Sequence, residues 1–189
     1  MKSIFVTEAR LLVADVERLK PSCVLSIEHP GASGDAVAPR LYEAGIDIPQ
    51  MIQVYWDTED DYPGGPDITN IREGLEFLQS HGGTPMVHCR QGKSRSVAMA
   101  LTYLVVANPD ADVETCIAHL KTLRPDPMMI APNIRAIALA DIILQKQDAL
   151  VSAVLLDPQI HAARERANAA RARFAEKNPA LFKPGKLSL

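Results

Sequence analysis

The amino-acid sequence predicts an α/β fold with a central, mostly parallel sheet of four to five strands, flanked by helices and followed by a helical C-terminal half. In the N-terminal half, short apolar runs alternate with amphipathic segments, which is typical of parallel strands joined by helical crossovers. From Ser94 onward, apolar residues recur at helical spacing and no further strand is apparent. With 189 residues, of which 47% are apolar, the chain can bury one sizeable core.

The predicted elements alternate along the chain up to a strand that ends at residue 88. Their bounds are strand 3–6, helix 8–19, strand 22–27, strand 50–55, helix 67–80 and strand 85–88. Helices at about 95–107, 112–123 and 132–145 complete the domain. Asp67, Asp112 and Pro132 are the start signals of their helices, because an Asp side chain caps free N–H groups and Pro is tolerated in a first turn.

A polar loop connects the last predicted strand to the first helix of the C-terminal half, with the sequence His88-Cys89-Arg90-Gln91-Gly92-Lys93-Ser94-Arg95-Ser96. At a helix N-terminus the first N–H groups lack partners, so an anion bound there is stabilised. Gly92 allows the backbone to curl with its N–H groups inward. We therefore expect a phosphate-binding loop. Its members are Arg90, Gln91, Gly92, Lys93, Ser94 and Arg95.

Cys89 is the candidate nucleophile of this loop. A thiol attacks as a thiolate, and a helix N-terminus with nearby cations can lower a cysteine pKa from about 8.5 to roughly 3.5–7.5. Arg95 offers a planar fork that binds two phosphate oxygens and stabilises the transition state. The Ser96 hydroxyl is expected to hydrogen-bond the sulfur when the sulfur leaves. His88 is interpreted as a strand residue that orients the loop, and a role as proton carrier is the alternative.

The segment HCRQGKSRS resembles the signature H-C-x5-R-S/T of the cysteine-dependent protein tyrosine and dual-specificity phosphatases. It looks most like the compact stand-alone domains, which include bacterial tyrosine phosphatase-like proteins. Residues 123–125, 131–133 and 140–141 are similar to a segment that those domains carry two helices later. The resemblance implies a dual-specificity-phosphatase-like fold over residues 1–150. It also implies a phosphomonoester hydrolase that forms a cysteinyl-phosphate intermediate and needs no metal or cofactor.

The reaction of this family also needs an acid that protonates the leaving oxygen, which the family carries on a loop upstream of the helix before the signature. Here the predicted strand 50–55 runs into an acidic segment, ahead of the breakers at 63–66. Asp57 lies closest to the strand end and is the expected general acid. Asp60 and Asp61 are the alternatives, because only geometry can place a proton donor.

The sequence leaves three functions open, two of which are phosphatases that differ in their substrate. A phosphorylated protein is the first expectation from the resemblance. Arg90 and Lys93 are similar to the branch that acts on inositol phospholipids or inositol phosphates, unless both side chains point to solvent and only raise the local potential. A rhodanese-like sulfurtransferase is a further alternative, since such enzymes also place a cysteine at a strand end before an anion-binding loop.

Residues 151–189 are predicted to form a basic, Ala- and Arg-rich helical extension. From residue 158 to the end the chain holds seven Lys or Arg and two Glu, against 13 basic and 21 acidic residues in the rest. A small apolar stripe recurs at helical spacing and consists of Ile160, Ala163, Ala167, Ala170 and Phe174. We expect this helix to pack on its own acidic domain or to mediate dimerisation. A partner or membrane-surface contact is the alternative, and no nucleic-acid partner is expected.

Cysteine usage and hydropathy bear on the compartment. Cys23, Cys89 and Cys116 have unrelated spacings, which indicates no disulfide framework and favours a reducing, cytoplasmic location. Charged residues soon follow the first apolar run, so the N-terminus does not resemble a signal peptide. No apolar stretch of about 18 residues occurs, so no transmembrane segment is predicted.

Overall fold

The structure is a computed structural model that describes residues 1–32, 37–59, 63–124 and 126–177. Its strands are β1 (Phe5–Glu8), β2 (Val24–Glu28), β3 (Gln50–Val54) and β4 (Met86–Cys89). Its helices are α1 (Leu12–Leu19), α2 (Ile68–Ser80), α3 (Arg95–Ala107), α4 (Val113–Leu123), α5 (Ile134–Leu144), α6 (Ala149–Leu156) and α7 (Pro158–Lys177). Single 3-10 turns lie at Ala9–Leu11 and Pro127–Met129.

The four strands form one parallel sheet in the order β1-β4-β2-β3. Helix α1 lies in the crossover from β1 to β2 and helix α2 in the crossover from β3 to β4, and each crossover passes over one intervening strand. Because all four strands run in the same direction, their carboxyl ends meet at one edge of the sheet. Those ends are Glu8, Cys89, Glu28 and Val54. The predicted parallel sheet flanked by helices is confirmed, and the last residue of the inner strand β4 is Cys89.

The sheet is covered on both faces. Leu25 and Val87 belong to a large buried cluster with side chains from the helices α2 to α7. Val24 and Met86 alternate with them and face a smaller cluster that includes Leu12 of α1. Burial on both faces explains why every residue of β2 and β4 is buried, so that neither strand shows an apolar-polar alternation.

Helix α3 lies in the centre of the larger cluster and starts directly at the loop that follows Cys89. Its residues are buried from Arg95 to Val105, as the apolar sequence predicts. A helix that is apolar all round needs neighbours all round, and α2, α4, α5 and the sheet provide them. The N-terminus of α3, which directly follows the loop, is therefore fixed in the core.

The structure corrects three predicted boundaries. The strand expected at 3–6 lies at Phe5–Glu8, because its pairing with β4 continues to the end of that strand. The helix expected from residue 8 begins as a 3-10 turn, and α1 itself starts at Leu12. Pro132 does not start α5. Asn133 is the N-cap, and its Oδ1 accepts the Ala136 N–H at 2.9 Å.

The C-terminal helix α7 contacts the domain through its first two turns. Ile160 is fully buried in the large cluster and Ala163 is 2% exposed. Further along the expected stripe, Ala167 is half-buried and Ala170 is exposed, while the side chain of Phe174 lies outside the described part. The division of the chain near residue 150 stays a prediction. None of the helices in the described ranges has the length and apolar character that crossing a bilayer requires.

Candidate active site

The loop 90–94 lies at the carboxyl edge of the sheet, between β4 and α3. Two of its carbonyl groups accept hydrogen bonds from residues outside the loop. Ala9 N–H donates to the Arg90 carbonyl at 3.3 Å, and Ala131 N–H donates to the Lys93 carbonyl at 2.9 Å. With carbonyl groups directed outward, the loop can present N–H groups to its centre, as an anion-binding nest requires. This is the geometry expected for a phosphate-binding loop.

Gly92 allows this curl for two reasons. Its φ of +65° lies in the left-handed region, where a side chain is strained. A Cβ at this position would also lie 2.6 Å from the Thr7 carbonyl oxygen, so the loop backbone passes directly over β1. Arg124 supports the same place from behind, since its Nη1 donates to the Val6 carbonyl at 3.1 Å. No local sequence pattern predicts this contact of Arg124.

Cys89 and Ser96 meet as the sequence predicts. The Cys89 Sγ and Ser96 Oγ lie 3.2 Å apart, and the cysteine is 3% exposed while the serine is fully buried. One residue belongs to the end of β4 and the other to the first turn of α3, so the loop brings them together. The hydroxyl is thus within hydrogen-bond distance of the sulfur.

Arg95 is 4% exposed, and its guanidinium contacts backbone carbonyls at the carboxyl ends of β2 and β3. Its Nη1 donates to the Glu28 carbonyl at 2.5 Å and to the Tyr55 carbonyl at 2.9 Å. Its Nε is buried and has no hydrogen-bond partner within the described ranges. A buried guanidinium N–H without an acceptor is costly, so an anion bound in the loop would satisfy it.

His88 faces away from the reacting groups. Its Nε2 contacts Ser26 Oγ at 2.7 Å, and Ser26 in turn accepts a hydrogen bond from Gln50 Nε2 at 2.8 Å. Burial lowers the pKa of His88 to about 4, although a hydrogen bond to the Cys89 backbone opposes that shift. The imidazole is therefore neutral near pH 7, and the geometry favours the orienting role over that of a proton carrier.

Asp57 lies against the rim of the loop. Its Oδ1 accepts hydrogen bonds from Ser94 Oγ and from Asn133 Nδ2, both at 2.8 Å. Asn133 is fully buried and also donates to the Thr58 carbonyl, so it fixes two consecutive residues of this segment. Asp57 is thus tied to the residue that precedes Arg95. The alternative acids, Asp60 and Asp61, lie outside the described residues.

Two aromatic side chains, which the sequence analysis did not single out, border the site. The rings of His29 and Trp56 meet edge to face with their centroids 4.1 Å apart. Burial and the nearby Arg95 guanidinium lower the pKa of His29. His29 directly follows β2, and Trp56 follows the end of β3 by two residues, at the edge of the sheet where Cys89 lies. That position in the sequence was the available signal.

The basic loop residues differ in their exposure. Arg90 and Gln91 are exposed and Lys93 is half-buried. A groove of about 670 Å³ opens beside the loop, lined by Glu8, Ala9, Arg10, Val37, Pro39, Arg90 and Gln91. Arg10 is paired with Glu8 there at 2.8 Å. Within the described ranges, no three His, Cys, Asp or Glu side chains are grouped to hold a metal ion.

No protein-family model and no curated protein matches this sequence. Solved structures do match the fold. Human DUSP28 matches with a TM-score of 0.54 and 18% identity, over 78% of this chain and 96% of its own. PTPMT1 in complex with PI(5)P has a TM-score of 0.52 and 16% identity, over 75% and 88% of the two chains. The human tyrosine phosphatase-like serine/threonine/tyrosine-interacting protein has a TM-score of 0.56 and 16% identity, over 77% and 93%.

At these identities the likeness concerns the fold. The chain has the fold of the dual-specificity phosphatases, as the resemblance of the loop sequence implies. The roles of the individual residues follow from their own geometry and chemistry, because one fold supports many functions.

Proposed function

We propose that the protein is a phosphomonoester hydrolase that works through a cysteinyl-phosphate intermediate. One observation carries the proposal: the Asp57 carboxylate is hydrogen-bonded to Ser94, within the loop that begins directly after Cys89. A nucleophile, a phosphate-binding loop and a proton donor thus meet at one edge of the sheet. Domain residues 1–150 would carry the chemistry.

The proposed first step is attack of the Cys89 thiolate on phosphorus. The bond between phosphorus and the ester oxygen breaks, and Asp57 gives its proton to that leaving oxygen, which contributes typically 10²- to 10⁴-fold to the rate. Arg95 and the loop N–H groups bind the non-bridging oxygens and stabilise the charge that develops on them.

The proposed second step is hydrolysis of the phosphoenzyme. Asp57, now ionised, accepts a proton from water, and the water oxygen attacks phosphorus. The bond between phosphorus and sulfur breaks, inorganic phosphate leaves, and Ser96 donates a hydrogen bond to the departing thiolate. The thiol must stay reduced for this chemistry, which favours a reducing compartment such as the cytoplasm.

The same site also supports a second substrate class, the inositol lipids and inositol phosphates. Arg90 is exposed at the groove beside the loop, and Lys93 lies two residues before Arg95. Cations beside a phosphate-binding loop favour a substrate with more than one phosphate. PTPMT1, which shares the fold, has been solved with PI(5)P bound. A phosphorylated tyrosine, serine or threonine in a protein is the first candidate.

The sulfurtransferase alternative is less well supported. Sulfur transfer to cyanide needs no acid that protonates an alcohol, whereas Asp57 is held at the loop by two hydrogen bonds. The fold is also that of phosphatases. We expect no transfer of sulfane sulfur to cyanide by the purified protein.

The test measures phosphate release from phosphotyrosine peptides and from short-chain phosphoinositides. Cys89→Ser should abolish release from both substrates, because a hydroxyl is a far weaker nucleophile than a thiolate at neutral pH. Cys116→Ser is the matched control and should keep wild-type turnover. Cys116 is also buried but lies in α4, and burial raises its pKa, so its thiol stays protonated.

The ratio of the two turnover rates assigns the substrate class. A preference for phosphoinositides that falls when Arg90 is changed to Gln supports the second class, and a preference for peptides supports the first. Turnover that persists in Cys89→Ser would overturn the proposed function for both classes.

A further inference from the structure

The C-terminal helix α7 reaches the segment that carries Asp57. Arg164 binds both carboxylate oxygens of Glu59, with Nη1 to Oε1 at 2.7 Å and Nη2 to Oε2 at 3.0 Å. The same Nη1 donates to the Pro132 carbonyl at 2.7 Å. The two partners are separated from Arg164 by 105 and 32 residues along the chain, so this side chain connects three segments.

Each of these partners lies within two residues of Asp57 or of Asn133, the residue that is hydrogen-bonded to Asp57. Glu59 follows Asp57 by two residues, and Pro132 directly precedes Asn133. Asn133 in turn donates to Asp57 Oδ1 at 2.8 Å. Arg164 therefore binds the chain on both sides of the hydrogen bond between Asn133 and Asp57.

Helix α7 is itself well anchored at this end. Asp157 caps it by accepting the N–H groups of Gln159 and Ile160, and it also pairs with Lys121 of α4. Ile160 and Ala163 are buried on the same face of the helix as Arg164, since the three stand at helical spacing. The guanidinium is thus presented to Glu59 from a fixed position.

The ion pair between Arg164 and Glu59 has two features of strong ion pairs, partial burial and two hydrogen bonds. The Arg164 side chain is 14% exposed and that of Glu59 is 30% exposed, so solvent screens the pair only partly. A two-bond contact between a guanidinium and a carboxylate also fixes their relative orientation, which a lysine cannot do.

We propose that Arg164 is a positioning residue for the general acid. It holds Glu59 and Pro132, and through them it keeps Asp57 at the rim of the loop, where the leaving oxygen of the substrate has to receive its proton. This inference rests on the proposed function. It assigns a catalytic consequence to the C-terminal extension, which the charge pattern alone does not indicate.

The test compares two aryl phosphates with the same phosphoryl group. One has an activated leaving group that departs without a proton, and the other has a poor leaving group that needs one. Loss of a general acid selectively lowers kcat/KM for the second substrate, because kcat/KM reports the first chemical step and not the hydrolysis of the phosphoenzyme. The ratio of the two kcat/KM values does not depend on the fraction of folded protein, so partial unfolding of a variant cannot imitate the effect.

Arg164→Ala should lower kcat/KM for the poor leaving group by roughly 10-fold and leave kcat/KM for the activated substrate within about 2-fold of wild type, since a misplaced donor loses part of the acid contribution. Arg164→Lys keeps the positive charge but not the planar two-bond contact, so its effect should lie between those of wild type and Arg164→Ala. In an Asp57→Asn background, Arg164→Ala should have no further effect on the ratio. Arg173→Ala is the control, because Arg173 is exposed on the same helix.

Two results would overturn the proposal while the proposed function stands. One is an equal loss on both substrates in Arg164→Ala, and the other is an unchanged ratio while Asp57→Asn changes it. If Arg164→Ala does not fold, the ratio is read from Arg164→Lys. If wild type shows no Cys89-dependent turnover, or if Asp57→Asn leaves the ratio unchanged, the proposed function or its acid is wrong, and the positioning role fails with it.

Discussion

At the scale of single residues, burial decides which protonation states the polar side chains next to Cys89 can adopt. His88 precedes Cys89 in sequence, yet its ring contacts Ser26 on the neighbouring strand at 2.7 Å. The register of the sheet places these two residues side by side, and Gln50 completes the chain of hydrogen bonds. A neutral ring in this place can fix the end of β4 through its contact with Ser26.

The neutral His88 makes stability depend on pH. Its pKa is about 4 in the folded protein, against an ordinary value of 6.5, so the unfolded chain binds a proton that the folded chain does not between these values. The free energy of unfolding therefore falls as the pH falls through this window. Between pH 7 and pH 5 we expect His88 to account for a loss of about 2 kcal/mol.

Urea unfolding followed by circular dichroism at both pH values checks this expectation in wild type and in His88→Gln. The variant should be less stable at pH 7, but it should lose about 2 kcal/mol less than wild type on going to pH 5. An equal loss in both proteins would show that His88 is protonated in the folded state near its ordinary pKa.

At the scale of elements, the strand-loop-helix unit formed by β4, the loop and α3 depends on Gly92. We expect Gly92→Ala to lower the unfolding free energy by at least about 1 kcal/mol, since an L side chain is strained at a positive φ and its Cβ would clash with the Thr7 carbonyl. The loop N–H groups would also be displaced, so kcat/KM should fall by roughly 100-fold.

Gly82→Ala is the matched control for this substitution, because a Cβ there meets no atom within 4 Å. It should stay within about 0.5 kcal/mol of wild type and keep full turnover. Thermal unfolding and steady-state kinetics measure both variants. A Gly92→Ala protein with wild-type stability and turnover would mean that the loop does not need its curl.

Much of the fold could be predicted because its signals are local. Asp67 and Asp112 cap their helices as expected, through the N–H groups of Asn70 and Thr115. The first strand was displaced by two residues because its bounds are set by its partner β4 and not by its own sequence. The same holds for the start of α5, where the side chain of Asn133 and not the ring of Pro132 makes the first turn.

The candidate site could be predicted where its residues share one motif or where the family resemblance indicates an upstream acid, as for Asp57. Cys89, Arg95 and Ser96 lie in one short segment of the sequence, so the motif identifies them together. Asn133 and Arg164 contribute through contacts that span 76 and 105 residues. A Pro-Asn pair before a helix signals a cap and gives no hint that its free amide binds Asp57. No local pattern separates Arg164 from the other basic residues of its helix.

At the scale of the whole molecule, the uneven charge distribution helps to connect the C-terminal helix to the domain. The basic C-terminal segment follows a domain with 13 basic and 21 acidic residues. Arg164 of this segment pairs with Glu59 of the domain. Part of the opposite charge therefore joins helix and domain.

We propose that Cys89 carries the phosphoryl group between the two chemical steps. The most direct measurement mixes the protein with an activated aryl phosphate, stops the reaction by denaturation within the first turnovers, and determines the mass of the intact protein and of its peptides. We expect one added phosphoryl group on the peptide that contains Cys89, and none in Cys89→Ser. In Asp57→Asn the label should persist longer, because the base that activates water is missing. Full turnover without any phosphorylated cysteine, or a label that remains in Cys89→Ser, would contradict the account.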